Sequence, residues 1–411
     1  MSTAEAVPKM HKACVYDQPG TCSIAIRDVP TPKPGPNEVL IKLTHSGICH
    51  SDYAIMMNTW RQLPVPTQTG QIGGHEGLGH IVKLGEGSEK LGVKIGDRVG
   101  VKWVASACLA CPPCTESLEG YCFNQKVSGY YTPGTFQEYV IGPANYVTPV
   151  PESLSGEVGA PMLCAGLTTW YVSKPTVPVL GAGLGRMIYR LPELTVTAVC
   201  ELLIQNMINI ICVILEYSAL LKCGASPGQW VVISGAGGGL GTTAVSLAAR
   251  GMGYRVIGID MPGKKQDVLD SGAEHFIDVT QFDDATIGKE VKRLTGLGAK
   301  AVIVCANSNK AYGQAVSMLR FGGSLVCVGM PEGEQVSIAN AYPSSMIMAG
   351  HNIVVSAVGN RREAIDVMEM AARGVVKFPV RTVSMSELQS VFEEMSQAKV
   401  TGRVVIDFSA A

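Results

Sequence analysis

An excess of charge of either sign is absent. The 33 Lys and Arg against 34 Asp and Glu leave a net charge of −1, which excludes the basic footprint of a nucleic-acid binder. Charged residues are only 16% of the chain and aromatics 6%, while 46% hydrophobic content is ordinary for a globular protein. Internal repeats and low-complexity segments are missing. The opening MSTAEAVPKMHKAC has neither an apolar core nor an arginine-rich amphipathic pattern. No secretory or transit signal is therefore expected, and the expected location is cytoplasmic. In that compartment the 13 cysteines are expected as thiols or metal ligands rather than disulfides. Long hydrophobic runs are also missing, with one exception. Residues 191–217 read LPELTVTAVCELLIQNMINIICVILEY, and Leu194–Leu215 reaches the roughly 20 residues a membrane helix needs. Glu201, Gln205, Asn206 and Asn209 in its middle make insertion costly. No membrane span is expected.

What is present is a change of texture along the chain. The 411 residues predict two or three domains, and the 47 glycines predict many tight turns. Between 36 and 100, short β-branched runs such as EVLIKLTHSG and HIVKLGEG alternate with glycine turns, which predicts strands in an irregular β-rich domain. Residues 102–135 are rich in Cys, Pro and Gly and read as a loop. From 229 onward, QWVVISG, YRVIGID, AVIVCAN and GSLVCVGM are buried-strand runs with helical stretches between them. Strands alternating with helices predict an α/β fold with a doubly wound parallel sheet. NIVVSAVGN, KFPVRTVSM and the helical SELQSVFEEMSQAKV close the chain.

Two constellations carry chemistry. CLACPPCTESLEGYC places Cys108, Cys111, Cys114 and Cys122 within 15 residues. A turning loop with four soft donors suits a tetrahedral zinc, and with no position left for water that zinc is structural. An iron–sulfur cluster is the lesser alternative. The second set is dispersed. GICHSD contributes Cys49, His50, Ser51 and Asp52; GGHEGLGH contributes His75 and Glu76; APMLCAG contributes Cys164. Taken singly, Cys164 reads as a core thiol and His75 as a turn histidine. Together, two cysteines and a histidine form the donor set of a catalytic zinc with an open fourth position. Asp52 suits a partner that fixes the tautomer of His75.

A nucleotide site is predicted at VVISGAGGGLG, which follows a strand and opens a helix, with Asp260 lying 19 residues after Gly241. Gly235, Gly237, Gly238, Gly239, Leu240 and Gly241 would let the backbone approach a pyrophosphate at a helix N-terminus, and the acid would bind ribose hydroxyls. A glycine string alone reads as a tight turn; the strand, helix and following acid give it meaning. An acid at 260 would repel a 2′-phosphate, so NAD is expected over NADP.

GHEGLGHIVKLGEGS, with the spacing of the Cys108–Cys122 lobe, resembles the zinc-containing alcohol dehydrogenases of the medium-chain dehydrogenase family. HSGICHSD, VKW and PMLCAGLTT are similar to its yeast-type, fungal members. The resemblance covers residues 10–170 and 218–408. It implies a GroES-like β-rich catalytic domain over 1–170, a Rossmann NAD-binding domain over 218–345 and a return to the catalytic domain over 346–411. It implies two Zn2+ per subunit: a catalytic one on Cys49, His75 and Cys164, with Glu76 close behind, and a structural one on the four-cysteine lobe. It also implies that Ser51 takes the proton from the alcohol, that His50 lies near the cofactor pyrophosphate, and that Lys265, Val328 and Arg403 touch the cofactor. A homotetramer acting on small alcohols and aldehydes is the implied assembly. The family's proton relay often ends in a histidine five residues after the first zinc cysteine, where this chain has Ala54. The route beyond Ser51 and the ribose is thus open to water or to His50. Trp60 and Trp103 stand where yeast-type enzymes narrow the substrate pocket, which implies ethanol-sized substrates; the other reading is two core aromatics. A dehydrogenase of larger alcohols and an inactive zinc scaffold are the alternatives, although no zinc ligand is lost.

The resemblance stops at Trp170 and resumes at Ser218. Joining those residues restores family-like spacing between Cys164 and the glycine loop, so residues 171–217 form an atypical apolar insertion. A translated, unspliced intron is the expected origin, and a genuine inserted helix is the alternative.

Overall fold

The β-branched runs between glycine turns do form strands. The computed structural model describes residues 6–60, 63–164, 216–331, 336–356, 359–397 and 399–410. The junction at Trp170 and residues 171–215 of the expected insertion lie outside them. Strands β1 (Met10–Tyr16) and β2 (Ile24–Pro30) form an antiparallel pair. Strand β3 (Glu38–Ile48) is the long spine of the first domain and runs directly into helix α1 (His50–Met57). It pairs antiparallel with β4 (Gly77–Leu84), which continues to β5 (Arg98–Val101). On β3 the residues Val39, Ile41 and Leu43 alternate onto one face and join Ile81, Val99 and Val101 in a small separate core.

The Cys- and Pro-rich stretch is mostly loop, as its lack of periodicity predicts. It holds the short pieces β6 (Val104–Ser106), α2 (Pro112–Thr115) and β7 (Lys126–Val127), with a 3-10 turn over Glu119–Tyr121. Strands β8 (Tyr139–Pro143) and β9 (Thr148–Pro149) complete the sheet on this side, and helix α3 (Gly156–Met162) ends just before Cys164. Helix α4 (Glu216–Lys222) begins inside the expected insertion, so its last two residues share a helix with the sequence that follows.

A six-stranded parallel sheet occupies the second domain. Its elements are β10 (Trp230–Ser234), α5 (Gly239–Ser246), β11 (Arg255–Asp260), α6 (Lys265–Ser271), β12 (His275–Asp278) and α7 (Ile287–Thr295). They continue with β13 (Ala299–Val304), α8 (Asn309–Met318), β14 (Leu319–Cys327), α9 (Pro343–Ala349) and β15 (Asn352–Val355). The strand order β12-β11-β10-β13-β14-β15 reverses direction at β10. That reversal opens a crevice at the carboxyl ends of β10 and β13. Along β10, Val231 and Ile233 join one core and Val232 the other, so both faces are covered.

Here the boundary expected at 345 needs correction. β15 pairs in parallel with β14, which carries the sheet on to Val355. An isolated run such as NIVV does not reveal which sheet it will join. Only then does the chain return through helix α10 (Arg361–Ala372), strand β16 (Val380–Val383), helix α11 (Leu388–Ser396) and strand β17 (Arg403–Asp407). β17 lies antiparallel to β3, pairing Val404 with Ile48. The end of the chain therefore sits beside the strand that delivers Cys49. Among the described residues, no helix is long and apolar enough to cross a membrane.

Candidate active site

The junction of β3 and α1 builds the site. Cys49 is the N-cap of α1, and its backbone N–H donates to Asp52 Oδ2 at 3.1 Å. The other oxygen of Asp52 accepts from the Gly74 N–H at 3.1 Å and meets His75 Nδ1 at 2.8 Å. One buried carboxylate thus orients two donors. Gly74 has φ +93°, and a Cβ there would approach the Phe136 nitrogen at 2.9 Å, so the turn that presents His75 needs glycine.

With Nδ1 committed to Asp52, His75 Nε2 points at the thiols, 3.1 Å from Cys164 Sγ. Cys49 Sγ lies 3.8 Å from Cys164 Sγ and 3.2 Å from Ser51 Oγ. A zinc with Zn–S bonds of about 2.3 Å requires S···S edges of about 3.8 Å in a tetrahedron. The separation of Cys49 and Cys164 fits that requirement. Burial works to lower the His75 pKa, but Asp52 and Cys49 override it and raise it to about 10. A cation bound at Nε2 would take the place of that proton, as metal binding at imidazole requires. Burial would raise the Cys49 thiol, yet its contacts with Cys164 and His75 bring it well below the usual range, toward the thiolate that binds metal.

Glu76 lies close to these donors, its Oε1 4.0 Å from His75 Nε2. A carboxylate oxygen of Glu76 and the donor atoms of Cys49, His75 and Cys164 all lie within 4.8 Å of one another. Its Oε1 accepts from Arg403 Nη2, and both side chains are buried. Its Oε2 has no hydrogen-bond partner among the described residues, and a Cβ at residue 47 would sit 1.8 Å from it. Gly47 therefore leaves the space the carboxylate fills. Burial raises the Glu76 carboxyl, with Arg403 opposing.

The four-cysteine lobe is a second donor set. Sγ–Sγ separations are 3.5 Å for Cys111–Cys114, 3.8 Å for Cys111–Cys122 and 3.5 Å for Cys108–Cys122. These again approach a tetrahedral edge. Backbone N–H groups of Cys108, Cys111 and Asn124 point at the sulfurs, which stabilises thiolates. Leu109 adopts φ +58° where the loop turns.

A cleft of about 390 Å³ joins the two domains. Of the residues expected at the cofactor, Gly235, Gly238, Gly239, Leu240, Asp260 and Arg403 line it, together with Cys49 and His50 from the first domain. Gly237 and Gly241 support it from outside the lining. The Gly237 N–H donates to Asp260 Oδ2 at 2.7 Å, and a Cβ on Gly241 would lie 2.0 Å from the Gly235 carbonyl oxygen. Lys265 and Val328 are not brought to the lining. Lys265 is exposed at the start of α6 and Val328 is buried. Lys264 lines the cleft instead; the helical phase that separates neighbouring lysines was not readable from the run GKK. Cys305, Ala306 and Asn307 also line it and were missed, although they follow the strand across the switch point. Met395, Val400 and Gly402 come from the return segment, where nothing in the sequence marks them.

Trp60 and Trp103 are both buried and pack edge to face, with centroids 6.2 Å apart. The Trp103 ring meets the His75 ring at 4.9 Å and 87°. The two indoles are not among the residues lining the domain cleft; Trp103 packs on the donor His75, and Trp60 backs Trp103. Ala54 is fully buried in the first core. Ser51 is also buried, and the His50 ring tilts against Tyr53 at 5.5 Å.

Residues 35–152 match the alcohol dehydrogenase GroES-like domain, and residues 239–373 match the zinc-binding dehydrogenase domain. Alcohol dehydrogenase 2 of Emericella nidulans is 51% identical over 99% of this chain and 100% of its own length. The alcohol dehydrogenase of the hyperthermophilic archaeon Aeropyrum pernix superposes with a TM-score of 0.75 at 25% identity, covering 96% of this chain and 99% of that one. Acetophenone reductase of Geotrichum candidum, solved in complex with NAD, gives 0.74 at 22% identity, covering 99% and 100%.

Proposed function

The chain belongs to the zinc-containing alcohol dehydrogenases of the medium-chain dehydrogenase family, and on that premise we propose that it oxidises a small primary alcohol to an aldehyde, reversibly, with NAD as hydride acceptor. The observation that carries this reading is the position of Cys49. It belongs both to the donor cluster and to the lining of the domain cleft. A cation and a dinucleotide held in those places would meet at one substrate.

Cys49, His75 and Cys164 would hold the catalytic zinc, and Cys108, Cys111, Cys114 and Cys122 a structural one. The catalytic ion supplies Lewis-acid polarisation of an oxygen and lowers the pKa of a hydroxyl. Asp52 keeps His75 turned so that Nε2 faces the thiols. Ser51 Oγ, 3.2 Å from Cys49 Sγ, is placed to accept the hydroxyl proton of an alcohol. His50 lies on the cleft wall toward which that proton leaves. The buried Trp103 ring packs edge to face on His75 and Trp60 packs on Trp103, so these indoles would bound the substrate space beside His75 and restrict it to small alcohols. Asp260 would bind the ribose hydroxyls, its oxygens already held by the Gly237 and Met261 N–H groups at 2.7 Å. A rigid carboxylate there disfavours a 2′-phosphate, which supports NAD.

We also propose a homotetramer in the cytoplasm. The edge strand β15 is unpaired on its outer side among the described residues, and α9 beside it buries no residue, with Ile347 and Met348 78% and 87% exposed. Such an edge is a template for another copy. All the described cysteines are free, in keeping with a reducing compartment. The deciding experiment is reduction of NAD with a series of primary alcohols of rising length, before and after chelation and zinc return. Ethanol turnover lost on chelation and restored by zinc is expected. Turnover that survives complete zinc removal rejects the reading, and preference for long alcohols rejects the small-substrate part.

A further inference from the structure

Three backbone hydrogen bonds finish the parallel sheet at its carboxyl edge. The Cys305 N–H donates to the Ser234 carbonyl at 2.8 Å, the Gly329 N–H to Val304 at 2.7 Å, and the Ser356 N–H to Cys327 at 3.2 Å. The ladder of β14 with its neighbours ends at Cys327. The Val328 N–H and the Gly329 carbonyl lie beyond it, and buried backbone groups of this kind need partners. One side chain serves both. The Tyr312 hydroxyl accepts from the Val328 N–H at 3.1 Å and donates to the Gly329 carbonyl. A phenol can do both at once. Tyr312 lies on α8, between β13 and β14, and is only 6% exposed.

The clamped turn presses on the cleft wall. A Cβ on Gly329 would lie 2.4 Å from the Ala306 carbonyl oxygen and 2.8 Å from the Cys305 carbonyl carbon. Cys305 and Ala306 are lining residues of the cleft, and Tyr312 itself is not. The hydroxyl thus acts on the wall through one turn of backbone, with no gap in which a displacement could be absorbed.

We propose that Tyr312 is a positioning residue for dinucleotide binding: its hydroxyl fixes the Val328–Gly329 turn, and that turn sets the Cys305–Ala306 wall against which the dinucleotide lies. This rests on the reading of the cleft as a dinucleotide site. A phenol that merely fills the core would affect stability alone; a positioning phenol affects the dinucleotide and spares the alcohol.

The test uses the zinc-loaded full chain. Tyr312→Phe keeps the ring and removes the hydroxyl. NADH affinity is measured by fluorescence titration, with KM for NAD, KM for ethanol, zinc content and Tm recorded in parallel. The expected result is about fivefold weaker NADH binding and a matching rise in KM for NAD, with KM for ethanol and zinc content unchanged. Gly329→Ala, which pushes on the same contact from the other side, is expected to weaken NADH binding as well and stands in if the first variant folds poorly. Wild-type affinity in both variants, whatever their Tm, overturns the inference. A wild-type protein that binds no dinucleotide overturns this inference and the functional reading together, whereas NADH binding by the wild type that both variants match overturns this inference alone.

Discussion

Asp52 is a single residue on which two donors depend. Its oxygens receive the Cys49 and Gly74 N–H groups and His75 Nδ1, in a site from which water is excluded. Asp52→Asn keeps the shape and removes the charge that fixes the imidazole. We expect it to weaken active-site zinc by about 10- to 100-fold, read by competition with a chromogenic chelator. Unchanged retention would show that packing alone orients His75. Asp260 acts in the same way on the cofactor side. Both its oxygens are engaged by backbone, so the carboxylate is fixed before a ribose arrives. Asp260→Ala is expected to raise KM for NAD by about tenfold and to lower that for NADP, since a lost charged hydrogen bond is worth about that factor. A ratio of the two KM values that stays put would remove Asp260 from the specificity argument.

At the scale of elements, the four-cysteine lobe does more than hold its own sulfurs. Glu119, between Cys114 and Cys122, accepts from the Arg361 N–H at 3.1 Å, from Arg361 Nε at 3.3 Å and from the Tyr146 hydroxyl at 3.3 Å. Asn360, which caps α10, donates from its side chain to the Ser117 carbonyl at 3.1 Å. The lobe is thereby tied to the first turn of the helix that leads back from the parallel sheet. Beneath this junction, Lys102 is fully buried, donating to the Tyr146 carbonyl at 2.7 Å with its ammonium 3.7 Å from the Tyr146 ring. Burial lowers it from its ordinary 10.5 to about 7, against the pull of Glu119 and with Arg361 adding to the effect. Between those two values the folded chain holds fewer protons than the unfolded one, so stability rises with pH there, and below pH 7 this contribution is flat and least favourable. The Tm of the wild type is expected to climb more steeply from pH 7 to pH 9 than that of Lys102→Met. Parallel curves would mean that Lys102 titrates normally in the folded state.

Taken whole, the molecule closes on itself. β17 returns to the side of β3, so Arg403 reaches Glu76 across 327 positions of sequence and the cleft has walls from both ends of the chain. Cys164, just before the connection between domains, must meet Cys49 and His75, which come from β3–α1 and the turn before β4. We propose that residues 171–217, an apolar length placed within that connection, are absent from the working enzyme. A version lacking them is expected to be more soluble and, per bound zinc, more active, because a displacement near 1 Å at reacting groups costs on the order of a hundredfold. Equal kcat/KM and equal solubility of the two purified forms would refute this. A transcript that retains the segment in abundance would refute the intron origin. Because α4 begins at Glu216, a cut after 215 should be compared with one after 217.

The sequence by itself determined which donor sets and which glycine motif the chain carries. Four cysteines within 15 residues need only a short loop to converge, and the strand, glycines, helix and acid of the nucleotide motif are local. Cys49, Ser51 and Asp52 are similarly local, carried on one strand-to-helix junction. Tertiary structure alone decided which distant groups meet. It set Lys264 rather than Lys265 on the cleft wall and left Val328 buried behind it. It paired Arg403 with Glu76 and carried the parallel sheet on to Val355. The reason is physical. A donor set or a glycine turn is specified by spacing along one segment, whereas helical phase, strand partnership and buried ion pairs depend on surfaces that exist only once separate segments have packed.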